Sequence, residues 1–318
     1  MALYLVTGIA GFIGSALAHS LLERGERVRG IDNFSTGNAA NLADITAKIE
    51  LLEADINDTA SVTNACRGVD YVLHQAAIPS VPRSVKDPVE SNRANADGTL
   101  SLLVAARDAK VKRVIYASSS SLYGDTPTLP KHEAMMPAPI SPYAVAKLSG
   151  EYYMASFYRV YGLETVSLRY FNVFGPRQDP TSQYSGVMAK FITTMLRGEQ
   201  PTIYGDGEQS RDFTFVDNVV QANLRACTAP LDRVAGEAFN AATGRRVTLN
   251  EMYAVLQKLT GYNKPPQYGH ERVGDIKHSH ADISRIRTAM GYEPSVVFEE
   301  GLRRTVEWYR TQSVAAAL

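Results

Sequence analysis

Through the first half of the chain, short apolar runs alternate with stretches whose apolar residues recur every three or four positions. Leu3 to Val6, Val28 to Ile31, Ile49 to Leu52, Tyr71 to His74, Arg113 to Ala117 and Thr165 to Arg169 are rich in Val, Ile, Leu and Tyr. That composition, at strand length, predicts buried strands. Between them, Phe12 to Arg24 and Ala94 to Ala109 carry helical spacing, and Tyr143 to Tyr161 continues a helix from a Ser141-Pro142 start. Strand and helix in strict alternation predict a parallel sheet with helices on both faces.

After Arg169 the alternation gives way to Gly, Pro and polar residues, as in Phe174-Gly175-Pro176-Arg177-Gln178-Asp179-Pro180. A second lobe is expected from here, because a single core rarely extends beyond roughly 250 residues and this chain has 318. The predicted division gives a dinucleotide-binding domain over 1–172, with a returning segment near 211–241. A smaller lobe takes 173–210 and 242–318. Within that lobe, Thr248-Leu249-Asn250-Glu251 reads as a capping box opening a helix that Gly261 ends. No internal repeat, low-complexity tract or heptad run is present.

Charge narrows the partners. Thirty-three basic residues balance 33 acidic ones, so no general electrostatic footprint favours nucleic acid or an anionic membrane, and an anionic ligand must be held by local groups. Cys66 and Cys227 stand far apart, which argues against a disulfide framework or a zinc site and for two buried thiols. The N-terminus runs directly into Leu3-Tyr4-Leu5-Val6, and no stretch reaches the roughly 20 apolar residues of a membrane span. A cytoplasmic location is the expectation.

Two constellations carry chemistry. Gly8, Gly11, Phe12, Ile13 and Gly14 lie in Thr7-Gly8-Ile9-Ala10-Gly11-Phe12-Ile13-Gly14, directly after the first strand and opening the first helix. Absent side chains let the backbone approach a pyrophosphate, and the helix start offers unpaired N–H groups. Asp32, followed by Asn33 at the end of the second strand, is placed to accept hydrogen bonds from an adenosine ribose and would repel a 2′-phosphate. NAD is therefore expected rather than NADP, with nearby Arg29 as the residue that argues the other way. Asp55, with Ile56 beside it, follows the third strand and is placed to meet the adenine edge.

The second constellation is Tyr143 and Lys147, four apart on one helical face. An ammonium beside a phenol favours the phenolate, which predicts a phenol pKa lowered from about 10 towards that of a working base. The preceding strand ends in Ser118-Ser119-Ser120-Ser121, and parallel-sheet sites lie at carboxyl ends of strands. Hydroxyls there suit an alcohol that becomes a ketone. His278 and His280 lack a third ligand at suitable spacing, so no metal is expected.

The glycine turn, the serine run and Tyr-x-x-x-Lys at 143–147 together resemble the extended short-chain dehydrogenase/reductase family over nearly the whole chain. That resemblance implies an α/β fold, a Rossmann-type doubly wound parallel sheet with a smaller mixed α/β substrate domain. It also implies Tyr143 as general base, Lys147 as ribose holder, and Ser119 as the assisting hydroxyl, with Ser120 and Ser121 as lesser candidates. Asn95 falls where the family places a helix asparagine supporting the cofactor site.

Within the family, Leu168 to Arg177, Gly205-Asp206-Gly207 and Ser210-Arg211-Asp212-Phe213 are similar to the UDP-hexose 4-epimerases. The resemblance implies Asn172 and Arg211 on the diphosphate, Arg272 and Asp275 on phosphate and uridine ribose, and Ser279 beside C2 of the sugar. A small residue at 279 leaves room for an N-acetyl group. Gln183 to Val187 and Val81-Pro82-Arg83-Ser84 are similar to the N-acetylglucosamine branch. The Thr-Asp-Glu arrangement usual in the dehydratases is replaced by Ser119-Ser120-Ser121. Two readings compete: a UDP-glucuronate 4-epimerase with Arg83 or Arg177 on the carboxylate, and a non-catalytic dinucleotide sensor, which should lack the Tyr/Lys pair. A homodimer is implied, packed through helices near 95–109 and 143–160, with Tyr152, Tyr153 and Phe157 as anchors or core.

Overall fold

A computed structural model describes residues 1–180, 187–271 and 277–315. Its centre is a seven-stranded sheet: β1 (Leu3–Thr7), β2 (Arg27–Asp32), β3 (Glu50–Glu53), β4 (Tyr71–His74), β5 (Arg113–Ser119), β6 (Glu164–Tyr170) and β7 (Glu237–Ala241). The strands lie in the order β7-β6-β5-β4-β1-β2-β3, and every neighbouring pair is parallel. The chain leaves β1 in opposite directions towards β2 and β4, which opens a crevice at the carboxyl ends of the strands.

The principal helices are α1 (Phe12–Glu23), α2 (Thr59–Cys66), α3 (Gly98–Asp108), α4 (Pro142–Tyr161), α5 (Val187–Leu196), α6 (Val216–Thr228), α7 (Leu249–Thr260) and α8 (Phe298–Ala315). One core sets α1 and α6 on one sheet face, with Leu17, Leu21, Val219 and Ala226 against Val6, Ile115 and Leu168. A second core sets α2, α3 and α4 on the other, through Val62, Leu102, Met154 and Phe157. Phe157 is thus a core residue, whereas Tyr152 is 62% exposed.

Two expectations change. The run near Ile49 forms the edge strand β3, half open to water with Leu51 and Leu52 only partly covered, because it has one neighbouring strand instead of two. The Ala94–Ala109 helix is interrupted at its start by a π-turn over Arg93–Asp97, which places Asn95 inward.

The residues after Phe171 build a third core from α5, α7, α8 and the aromatic group Phe174, Phe213, Phe215 and Phe298. Its helix α7 begins with the expected capping box: Thr248 Oγ1 accepts from the Glu251 N–H, and Glu251 accepts from the Thr248 N–H. Gly261 ends it at φ +80°. β7 returns the chain to the main sheet beside β6, so the crevice is closed by segments from both halves of the sequence.

Candidate active site

A cavity of about 1360 Å³ runs along the carboxyl ends of the strands, from the glycine turn to the third core. At its first wall, Gly8 takes φ +65° and donates its N–H to Ile31 at 2.8 Å, while Gly11 donates to Gly8 at 3.1 Å. A β-carbon on Gly14 would stand 2.1 Å from the Gly8 oxygen, and one on Gly8 would stand 2.8 Å from the Ala76 backbone. These glycines are therefore dictated by backbone-to-backbone approach. Gly11 offers no side-chain cap to α1, which leaves the first N–H groups of that helix directed into the cavity.

Asp32 accepts from the N–H groups of Ala10 and Phe34, each at 2.8 Å. Burial raises its pKa against these two bonds. Arg29, the one argument for a phosphorylated cofactor, is tied to Glu50 and to the carbonyls of Ala65 and Arg67. Asn33, Asp55 and Ile56 also line the cavity. Burial would raise the Asp55 carboxyl, yet bonds from Asn57 and Asn33 outweigh it and hold it below the usual range.

Tyr143 and Lys147 reach the opposite wall from α4, with Ser118 to Ser121 facing them from the end of β5. The four hydroxyls divide their tasks. Ser118 donates to Glu151 at 2.6 Å, and Ser121 donates both its N–H and its hydroxyl to Ser119. Ser119 thereby keeps its own proton to offer, and it is the serine that acts to lower the Tyr143 phenol. Ser120 lines the cavity.

The electrostatic expectation for this pair is corrected. The Tyr143 phenol is pushed up to about 12 by burial, with only the Ser119 bond acting downward. Lys147 does not lower it. Its Nζ donates to the Ala117 carbonyl at 2.9 Å and stands 6.0 Å from the Tyr143 ring centroid. Burial also brings Lys147 down to about 7. Both groups lose solvation in the same wall, and that outweighs their mutual effect.

Asn95 does not itself line the cavity. It stands behind the cavity wall, fully buried, accepting from the Ile78 N–H at 3.0 Å and donating to the Ile78 carbonyl at 3.3 Å. It braces Ile78, a lining residue, from behind. Next to it, Thr99 donates to the Asn95 carbonyl at 2.6 Å, so it must accept from His74 Nε2. His74 Nδ1 then accepts from Thr7, which itself accepts from the Ala76 N–H. This buried histidine is neutral, its pKa pushed down to about 3 by burial and then by Lys147.

At the far end, Asn172, Arg211 and Ser279 line the cavity. The Arg211 guanidinium donates to the carbonyls of Ser210 and Lys277. Arg83 lies at the rim with its fork closed on Glu90 at 2.6 and 3.1 Å. Arg177, at φ +69°, contacts His19. Arg272, Asp275 and Gln183 to Gly186 fall outside the described residues. His278 pairs with Ser210 and His280 with the Gly244 carbonyl. Among the described residues, no three potential metal ligands converge, and no helix is long and apolar enough to cross a membrane.

Behind the hydroxyls lies a network that sequence reasoning missed. Arg169 and Glu151, each with 6% side-chain exposure, form a two-pronged pair at 2.8 and 2.9 Å. Arg169 also donates to Tyr123, which donates to Asn240 at 2.7 Å. Glu151 follows Lys147 by four positions, so helical spacing alone could have singled it out. Nothing in the sequence ties Tyr123 to Asn240.

The family described as NAD dependent epimerase/dehydratase matches residues 4–242. A UDP-glucose 4-epimerase of Mycolicibacterium smegmatis is 40% identical over 314 residues, covering 97% of this chain and 99% of its own. A crystal structure of a Thermotoga maritima UDP-glucose 4-epimerase with UDP-glucose superimposes at TM-score 0.92 and 41% identity, over 98% of this chain and 99% of that one. A UDP-N-acetylglucosamine 4-epimerase of Methanobrevibacter ruminantium, in complex with UDP-N-acetylmuramic acid, does so at 0.93 and 41%, with the same coverage.

Proposed function

Since the chain belongs to the NAD-dependent epimerase/dehydratase family, we propose that it is an NAD-dependent enzyme inverting C4 of UDP-hexoses, plain and N-acetylated. One observation carries this reading: Tyr143, Ser119 and Lys147 share a single cavity with the glycine turn and Asp32. The residues fit NAD, because the glycine turn and the start of α1, which has no side-chain cap, line the cavity and offer backbone N–H groups to a pyrophosphate. Asp32 presents a carboxylate to a ribose, and the competing guanidinium of Arg29 is engaged elsewhere.

Bound NAD supplies a reversible hydride acceptor for C4 and, when oxidised, a positive charge that favours the Tyr143 phenolate. Tyr143 takes the C4 hydroxyl proton, and Ser119 holds the oxygen as the alcohol becomes a 4-keto group. Lys147, fixed by the Ala117 carbonyl, holds the nicotinamide ribose. Asn172, Arg211, Arg272 and Asp275 would hold the UDP, leaving the keto sugar free to turn about its diphosphate linkage and expose either face. Tyr143 then returns the proton. A firm hold on UDP and a loose one on the hexose suits this turn, and Ser279 gives the sugar room at C2.

The test is product analysis. Purified protein incubated separately with UDP-glucose, UDP-N-acetylglucosamine and UDP-glucuronate should yield the C4 epimers of the first two. Conversion of the glucuronate alone would overturn the substrate assignment and favour the carboxylate reading. For Arg83 to meet that carboxylate its surface pair with Glu90 would have to open, at a modest cost.

We also propose a cytoplasmic homodimer. Tyr152, Tyr153, Val145 and Val160 leave an apolar stripe exposed on α4, continuous in kind with Val85 and Val89 on the short helices Val81–Lys86 and Pro88–Asn92. Burying that stripe against a second copy removes it from water. Light scattering at micromolar concentration should give twice the chain mass, and a monomer mass would refute the dimer.

A further inference from the structure

Asn240 is fully buried on β7, and its backbone N–H and side-chain amide are all engaged. Its N–H donates to Glu133 at 2.7 Å. Its side-chain oxygen accepts from Tyr123, and its Nδ2 donates to the carbonyls of Lys131 and Asp282 at 2.9 and 3.0 Å. The partners fix the amide's orientation: two carbonyls demand the NH₂ group, and Tyr123, which accepts from Arg169, must spend its own proton on the oxygen.

The two carbonyls belong to different segments. Lys131 lies in the loop after the serine run. Asp282 closes the stretch 277–282, which carries Ser279 into the cavity. That stretch is tied at one end to Ser210, through Ser279 N–H to Ser210 and Ser210 N–H to Lys277 at 2.9 and 3.0 Å. At its other end Lys131 donates to His280 at 2.7 Å and accepts from Asp282 at 2.8 Å. Asn240 clasps that second joint from behind and is linked through Tyr123 and Arg169 to Glu151 and Ser118.

We propose that Asn240 is a positioning residue for sugar specificity: by clasping Lys131 and Asp282 it holds the Ser279 stretch back from the hexose, keeping the volume that an N-acetyl group at C2 needs. The inference rests on the 4-epimerase reading. Without the clasp the Asp282 carbonyl loses its donor and the Lys131 carbonyl keeps only the Asp282 N–H, so the joint loosens and the stretch can move into the cavity that Ser279 lines. A plain hexose does not use the N-acetyl volume.

The experiment compares kcat/KM for UDP-N-acetylglucosamine and UDP-glucose in wild type and Asn240→Ala, with NAD affinity and melting temperature measured alongside. The N-acetylated substrate should lose at least about tenfold relative to the plain one, the usual scale of a pocket-size effect, with NAD affinity unchanged. Tyr123→Phe, which keeps its ring but drops the proton on Asn240, should shift the ratio in the same direction by less, and it decides the matter if Asn240→Ala does not fold. Equal losses on both sugars would make Asn240 purely structural and overturn the inference alone. Failure of the wild type to turn over either sugar would overturn the epimerase reading and this inference with it.

Discussion

Tyr143→Phe should lower turnover of a UDP-hexose by about two to four decades, the usual contribution of a positioned general base, while NAD and UDP bind as before. The phenyl ring keeps its volume in the wall, so the variant removes one oxygen and its interaction with Ser119. Single-turnover kinetics with calorimetric binding of NAD and UDP separates the two effects. A milder loss would move the base role to another group. A parallel loss of binding would mean that the wall had collapsed. The phenol's pKa of about 12 sharpens the expectation. Burial disfavours its charged form, so the neighbouring ammonium by itself does not make this tyrosine a base at neutral pH.

Arg169→Met should destabilise the protein by about 3–5 kcal/mol, the usual cost of stranding one partner of a buried ion pair. Glu151 is left with the Ser118 hydroxyl, and Tyr123 loses the donor to its oxygen. The midpoint of denaturant unfolding reports the loss, provided its slope is unchanged. Arg169→Met combined with Glu151→Leu should recover most of it, since the uncompensated charge is then gone. Arg303→Met gives the control. Its partners Glu300 and Glu307 are surface residues on the same helix, and solvent screens such pairs, so no comparable change is expected. A loss at Arg169 no greater than that at Arg303 would sink the account of the buried network.

Local chemistry was readable without coordinates. Gly8, Gly11 and Gly14 lie close together in sequence, and their reason is a turn and helix start that the same few residues build. Tyr143 and Lys147 share a helix face by spacing, and the Thr248 cap needs only its own first turn. Five of the six strands of the first half were legible because burial on both faces leaves continuous apolar runs; the edge strand β3 is only partly covered.

What remained hidden involved residues meeting across long separations. Asn95 sits in a helical pattern, and only the π-turn, held by Ile78 from another segment, turns it behind the wall. Which serine pairs with Tyr143 depended on Glu151 drawing Ser118 away.

The sequence by itself determined the strand-helix alternation, the dinucleotide turn with its acid, and the phenol and ammonium on one helix, because each arises from neighbours along the chain. Tertiary structure alone decided the solvation of that pair, which reversed the expected pKa shift, and the meeting of Asn240 with Tyr123, Lys131 and Asp282. The physical reason is common to both: desolvation and long-range hydrogen bonding depend on what packs against a side chain, and linear spacing carries no record of that.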